Sequence, residues 1–119
     1  MKYVLLIYAN EQDWASQPEE QSQAQFQEYM AFTKDIVDRG IYKGGEALQP
    51  TATATTVQVR EGERLTTDGP FAETKEQLGG FYLVEAKDLD EAIEIATRIP
   101  DVRGGSIEVR PIMEIDAGS

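Results

Sequence analysis

Residues 2–9 read KYVLLIYA and predict a β-strand that is apolar on both of its faces. Successive side chains of a strand point to opposite sides of its sheet. The two sets here are Tyr3, Leu5 and Ile7 on one side and Val4, Leu6 and Tyr8 on the other. Because both sets are largely apolar, we expect the strand to lie in a sheet that is covered on both faces.

A long amphipathic helix is predicted after this strand. Ser16 and Glu19 have the spacing of a capping box, and Pro18 then falls in the first helical turn. Gly40 is typical of the residue that follows a helix. The apolar stripe between these ends consists of Phe26, Tyr29, Met30, Thr33, Ile36 and Val37.

The remaining segments predict a hairpin, three further strands and a second helix. The strands and hairpin arms are predicted at 41–48, 56–60, 64–67, 80–86 and 106–115. Asp88 and Glu91 form a second capping pair, and Pro100 stops the helix that follows. The apolar positions of that helix are Leu89, Ala92, Ile93, Ala96 and Ile99.

The order β–α–β–hairpin–β–α–β indicates an α+β fold in a single domain spanning residues 1–119. A ferredoxin-like βαββαβ antiparallel sheet, with two helices on one face and an inserted hairpin, satisfies this order. Two helices cover only one face of such a sheet. The other face is too apolar to remain wet, so we predict a homodimer in which two sheets pack face to face. The alternative is that loops cover the second face.

Composition excludes several classes of function. The chain has no cysteine and no histidine, which removes thiol nucleophiles, disulfides and the commonest transition-metal ligands. The net charge of −11 disfavours binding to nucleic acid or to an anionic membrane. The apolar run at the start is short and lacks a small-residue cleavage site, so we expect a cytoplasmic protein. No cofactor or metal is predicted.

The segment DGPFAETKEQLGG, residues 68–80, is a chemically crowded connector. Pro70 has no N–H, so it prevents a simple Asp-Gly hairpin turn and the usual local bond of the Asp68 side chain. We expect a turn over residues 69–72 instead. Asp68 then either caps a backbone N–H of Phe71 or Ala72 or points into a cleft.

Several side chains are candidates for contact with a ligand. Glu73 and Lys75 are either a solvated pair or helpers of Asp68 in proton transfer, so the three form the candidate catalytic set. Phe71 is interpreted as an apolar anchor of its loop. Gly44 and Gly45 permit a bulge or a close backbone approach, and the adjacent Glu46 is then compatible either with a pocket rim or with plain strand geometry. The candidate ligand-contacting residues are Tyr8, Glu46, Phe71 and Tyr82.

Residues 66–86, TTDGPFAETKEQLGGFYLVEA, closely resemble the signature of the DGPF branch of the YCII-related family. The segments MKYVLLIY, GGEAL, LDEAIEIA and GGSIEVRPI resemble its other shared blocks, so the likeness spans residues 1–112. The resemblance implies a ferredoxin-like fold that forms a dimeric α/β barrel, with a cleft between sheet, helix and the DGPF loop. Asp68 matches the Asp of the motif, and Glu73 and Lys75 match its polar continuation.

The family resemblance does not settle a reaction. Some members carry a His and an Asp in the cleft, but this chain has no histidine, so that mechanism does not transfer. One hypothesis is a small-molecule binder, or a cofactor-independent enzyme that uses Asp68. The other is a non-catalytic regulatory or interaction dimer. The resemblance implies a link to extracytoplasmic-function sigma factors, whose genes often neighbour those of such proteins.

Overall fold

The computed structural model describes residues 1–115. Its regular elements are β1 Lys2–Ala9, α1 Glu11–Ala15, α2 Glu19–Asp38, β2 Tyr42–Ala47, β3 Thr55–Arg60, β4 Glu63–Asp68, β5 Gln77–Glu85, α3 Leu89–Ala96 and β6 Ser106–Pro111. Short 3₁₀ turns occupy Thr51–Thr53 and Pro100–Val102. The chain is therefore a mixed α+β protein, as the sequence predicted.

The main sheet has the strand order β2-β5-β1-β6, and all of its neighbouring strands are antiparallel. This order is that of a ferredoxin-like sheet and confirms the predicted arrangement of its four strands. Strands β3 and β4 form a separate two-stranded sheet, so the inserted hairpin is also confirmed.

One face of the main sheet carries the hydrophobic core beneath α2 and α3. Tyr3, Leu5 and Ile7 of β1 are buried there. The most deeply buried large side chains are Leu5, Ile36, Val84, Ile95 and Ile99. Burying an aliphatic side chain of this size contributes about 1.5–3 kcal/mol, so this face provides much of the stability of the fold.

The opposite face of the main sheet, which we call the open face, is apolar along its two central strands. Leu6 of β1 pairs with Phe81 of β5, and Val4 pairs with Leu83. These side chains are only half-buried, in contrast to their buried neighbours on the core face. The described loops therefore do not seal this side of the sheet.

The predicted start of the long helix is wrong. Asn10 accepts hydrogen bonds from the backbone N–H groups of Gln12 and Asp13, at 2.9 and 3.1 Å, and begins the unpredicted helix α1. Ser16 ends that helix in a helical conformation, whereas an N-cap needs an extended backbone. Pro18 directly precedes α2, which has no side-chain cap.

The predicted stripe of α2 is only partly correct. Ile36 is buried, as is Phe32, which the predicted stripe omitted. Phe26, Met30 and Val37 are instead 65%, 58% and 50% exposed. Spacing alone could not separate these two overlapping stripes, because each has helical periodicity.

Two further boundaries differ from the prediction. Helix α3 ends at Ala96, earlier than Pro100 suggested, although Ile99 remains buried in the core. Strand β6 ends at Pro111 rather than Ile115. The N–H of Ile112 still donates to the carbonyl of Lys2 at 2.9 Å, but β1 begins there and offers no further partner.

The molecule is broad and thin. Its Cα radius of gyration is 16.5 Å, and its extents are 48 × 46 × 20 Å. A compact chain of this length has a radius of about 13.5 Å. A hairpin that forms its own sheet, separate from the main one, accounts for the excess.

Candidate functional site

Asp68 is the last residue of β4 and pairs with Thr55, so it belongs to the hairpin rather than to the loop. Its side chain is exposed and has no hydrogen bond or ion pair within residues 1–115. The predicted cap of Phe71 or Ala72 is thus not formed. The sequence correctly excluded the Asp-Gly hairpin turn, because Glu61 and Gly62, both with positive φ, make the real turn.

Gly69 joins the hairpin to the DGPF loop. Its φ of +109° lies in a region that side chains disfavour. Its N–H donates to the carbonyl of Ala54 at 2.7 Å, and its carbonyl accepts from the hydroxyl of Thr56 at 2.9 Å. The chain then bends at Phe71 and Ala72 without the closing hydrogen bond of a regular turn.

The other candidates in this loop face solvent. Glu73 and Lys75 are exposed, and within residues 1–115 they form no ion pair with each other or with Asp68. Phe71 is 80% exposed, so its interpretation as an anchor within its own chain is wrong. An exposed aromatic ring beside an exposed carboxylate is a surface available to another molecule.

Glu11 fixes both ends of the segment that contains the hairpin. Its carboxylate accepts from the N–H and the hydroxyl of Thr51, both at 2.8 Å. Its own N–H donates to the side-chain oxygen of Gln77 at 2.9 Å. Sequence reasoning missed Glu11, because its partners lie 40 and 66 residues away and no local pattern reports them.

Glu46, Tyr8 and Phe81 lie on the open face. Glu46 pairs directly with Phe81, and the hydroxyl of Tyr8 donates to Glu108 at 3.4 Å. Of the two geometries that Gly44 and Gly45 permit, β2 has the bulge, between Tyr42 and Gly44. The centre of the open face is therefore apolar. A carboxylate flanks it on β2, and the ion pair of Glu108 with Arg110, at 3.8 Å, flanks it on β6.

Tyr82 lies on the core face, opposite to Tyr8, so these two candidates do not share one pocket wall. Its hydroxyl lies 2.7 Å from that of Thr33, and its ring meets Phe32 edge-on at 5.1 Å. Burial raises the pKa of Tyr82 above its usual range, which keeps the phenol neutral. The β1 and β5 pairing places Tyr82 beside Leu5 in the core layer.

A second polar cluster joins α1, α2 and the 3₁₀ turn at Pro100–Val102. Tyr29 donates a short hydrogen bond to one Asp101 oxygen, and Gln25 donates to the other at 3.1 Å. Trp14 in turn donates to Gln25 at 3.0 Å. Burial, followed by the bond to Asp101, raises the pKa of Tyr29 far above its usual value. This cluster ties helices together and contains no candidate residue.

Two shallow grooves flank α2. One, of about 330 Å³, is lined by Glu28, Ala31, Phe32, Asp35, Arg98 and Pro100. The other, of about 470 Å³, is lined by Met30, Ala31, Thr33, Lys34 and Val37. Neither groove includes Asp68, Glu73 or Lys75. Neither groove is therefore the predicted cleft beside the DGPF loop.

Within residues 1–115, no cluster of three or more acidic side chains is arranged to hold a metal ion. Among the helices of the same residues, none is long and apolar enough to cross a membrane.

Two comparisons place the chain among known proteins. The family model of the YCII-related domain matches residues 1–116. An uncharacterised protein from Rhizobium meliloti (strain 1021) is 37% identical over 114 residues, which cover 94% of this chain and 92% of that protein. The family match extends over the main sheet, α2, α3 and the hairpin.

Proposed function

The chain belongs to the YCII-related family, and from this premise we propose that it is a homodimer that binds a small molecule beside the DGPF loop. The observation that carries the proposal is the open face. Val4, Leu6, Phe81 and Leu83 leave an apolar surface on the two central strands. A second copy covers this surface when two sheets pack face to face as a dimeric α/β barrel.

Dimerisation also supplies the enclosure that the single chain lacks. Asp68, Phe71 and Lys75 are exposed, and an exposed loop gives a ligand only one wall. Binding sites for small molecules are concave and mostly apolar, with few polar groups. Two copies brought together at the open face create such a concavity from the loop and the sheet rims.

The flanking charges indicate the class of ligand. Glu46 flanks the apolar centre of the open face on β2, and the ion pair of Glu108 with Arg110 flanks it on β6. Asp68 lies on the separate hairpin. These groups favour a molecule with an apolar body and a hydroxyl-bearing end that can donate to a carboxylate. In a cofactor-independent enzyme Asp68 would be the acid or base, with Glu73 and Lys75 as helpers. Their exposure supports binding more than catalysis.

Sedimentation tests the dimer. The wild type is expected to have twice the 13.2 kDa mass of one chain at micromolar concentration. Leu6→Lys places a charge at the centre of the open face and is expected to give a monomer. The matched control is Met113→Lys, a similar change at a side chain that is 79% exposed and outside the sheet. A wild-type mass near 13.2 kDa would falsify the proposal.

A thermal-shift screen with metabolites tests binding, at protein concentrations where all variants are dimeric. We expect apolar molecules with a hydroxyl-bearing end to raise the melting temperature of the wild type. Asp68→Asn and Glu46→Gln should reduce this shift while the ligand-free melting temperature changes little. If Asp68→Asn instead lowers the ligand-free value by several degrees and leaves every ligand response intact, Asp68 has a structural role.

A regulatory interaction protein is the second candidate, and the exposed side of α2 favours it. Phe26, Met30 and Val37 form an apolar stripe on the helical side of the sheet, away from the open face. This stripe remains accessible in the proposed dimer. An extracytoplasmic-function sigma factor as its partner stays a prediction. Co-sedimentation of purified sigma factor with wild type but not with Met30→Lys would support it.

A further inference from the structure

The β3–β4 hairpin has one face that is exposed along its whole length, which we call the hairpin face. Residues directly opposite each other in an antiparallel pair share a face, and alternate residues of a strand do so too. The hairpin face therefore consists of three pairs, Thr55 with Asp68, Val57 with Thr66 and Val59 with Arg64. All six residues are exposed, and the two valines are 58% and 61% exposed.

Opposite charges lie at the two ends of this face. Asp68 is at the base of the hairpin, and Arg64 is beside its tip, four residues away on the same strand. Four residues of strand span about 13 Å, so the two charges do not reach each other easily within one chain. Within residues 1–115 neither side chain has an ion-pair partner.

A two-fold axis across the strands would make this face complementary to itself. It lays β4 of one copy antiparallel over β4 of the other, with the base of each hairpin against the tip of its partner. Arg64 of each copy then meets the partner's Asp68, and the two Val57 side chains meet near the axis. A two-fold interface requires this reciprocity, in which residue i contacts residue j and j contacts i.

We propose that the hairpin is an intersubunit arm, whose exposed Val57–Val59 face packs on the same face of a second copy and pairs Arg64 with the partner's Asp68. The inference rests on the proposed dimer and deepens it, since the partner then contributes a guanidinium to the loop that carries the candidate site. An isolated two-stranded hairpin is marginally stable in water, which agrees with a role in contact with another surface.

The base of the hairpin is built to hold such an arm in place. Glu11 binds Thr51 before the hairpin and Gln77 after it. Directly beyond the first strand pair of the hairpin, the N–H of Gly69 donates to the carbonyl of Ala54. These contacts fix the orientation of the arm relative to the main sheet. Rigid presentation reduces the conformational entropy that association has to overcome.

Charge exchange across the interface tests the inference. Arg64→Glu and Asp68→Arg each create like charges at both contacts of a homodimer, so each should raise the dimer dissociation constant roughly tenfold or more at low ionic strength. An equimolar mixture of these two variants should form a heterodimer of nearly wild-type affinity, because both contacts then join opposite charges. The double variant Arg64→Glu/Asp68→Arg should also recover. Sedimentation equilibrium measures all four.

Arg60→Glu is the matched control, because Arg60 is a neighbouring arginine of the same hairpin that belongs to the opposite face. It should leave the dissociation constant nearly unchanged. Circular dichroism checks that each exposed substitution leaves the fold intact. A wild-type monomer would overturn both the proposed dimer and the arm. A stable wild-type dimer in which Arg64→Glu has no effect, or in which mixing restores nothing, overturns the arm alone.

Discussion

The phenol of Tyr29 lies between α2 and the 3₁₀ turn at Pro100–Val102, where it donates to the carboxylate of Asp101. Burial and this bond raise the pKa of Tyr29 above that of an unfolded chain, where tyrosine titrates near 10. The stability that results is fully present below about pH 10. Above that pH the unfolded chain loses a proton that the folded protein retains, so stability falls.

Tyr29→Phe should therefore flatten the alkaline decline of stability. Between about pH 9 and 11 the free energy of unfolding of the wild type should fall more steeply than that of the variant, by up to about 1 kcal/mol per pH unit. Urea denaturation at several pH values measures both slopes. Parallel slopes would show that the phenol ionises as readily in the folded protein as in the unfolded chain.

For individual residues, the sequence predicted local backbone constraints better than it predicted contacts with distant residues. Pro70 correctly excluded an Asp-Gly hairpin turn, because the argument needs only the missing N–H of proline. The side of the hairpin on which Asp68 lies depends on its pairing with Thr55. The role of Glu11 depends on hydrogen bonds to residues 40 and 66 positions away. Such long-range contacts have no signature in local spacing.

Among the elements, α3 has the clearest start. Asp88 accepts a hydrogen bond from the N–H of Glu91 at 2.9 Å, and Glu91 accepts from the N–H of Lys87 at 3.1 Å. This reciprocal pair satisfies two backbone N–H groups at the helix start. The sequence predicted it because capping depends on neighbours only three or four residues apart.

Asp88→Ala should destabilise the protein by about 1 kcal/mol, the usual cost of losing an N-cap. Ser16→Ala is the matched comparison, since the sequence assigned a cap to both residues but Ser16 only donates to the carbonyl of Asp13 at 3.2 Å. Its cost should stay below about 0.5 kcal/mol. Urea midpoints of both variants decide the point, and equal losses would contradict the helix boundary between α1 and α2.

Helical periodicity has a limit that α2 illustrates. Ile36 and Val37 both fit an apolar stripe, yet one is fully buried and the other is half exposed. The rotation of the helix about its own axis decides which of the two faces the sheet. This rotation depends on tertiary contacts such as the hydrogen bond between Thr33 and Tyr82. A pattern can therefore predict a helix without predicting which of two adjacent stripes enters the core.

At the scale of the whole molecule, the alternation in β1 and β5 predicted two apolar sheet faces, and both are present. The ferredoxin-like strand order also followed from the order of elements. What covers the open face does not follow from the fold of one chain, because the proposed partner is a second copy. The proposed site depends on the same second copy, because Asp68 and Phe71 are exposed in one chain and have no enclosing wall there.

The net charge should give the proposed dimer a characteristic salt dependence. Each chain carries −11, so two copies repel one another at long range, whereas the apolar contact between open faces is insensitive to modest salt. Exposed ion pairs such as Arg64 with the partner's Asp68 are weak, at most about 1 kcal/mol each. Screening should thus remove more repulsion than attraction.

Raising salt from about 20 to about 200 mM shortens the Debye length from about 20 Å to about 7 Å. We expect the dimer dissociation constant to fall severalfold over this range, and sedimentation equilibrium at fixed pH measures it. Sucrose at matched viscosity, which does not screen charge, controls for effects of the solvent other than screening. A dimer that loosens as salt rises would mean that ion pairs across the hairpins, rather than the apolar sheet faces, dominate its affinity.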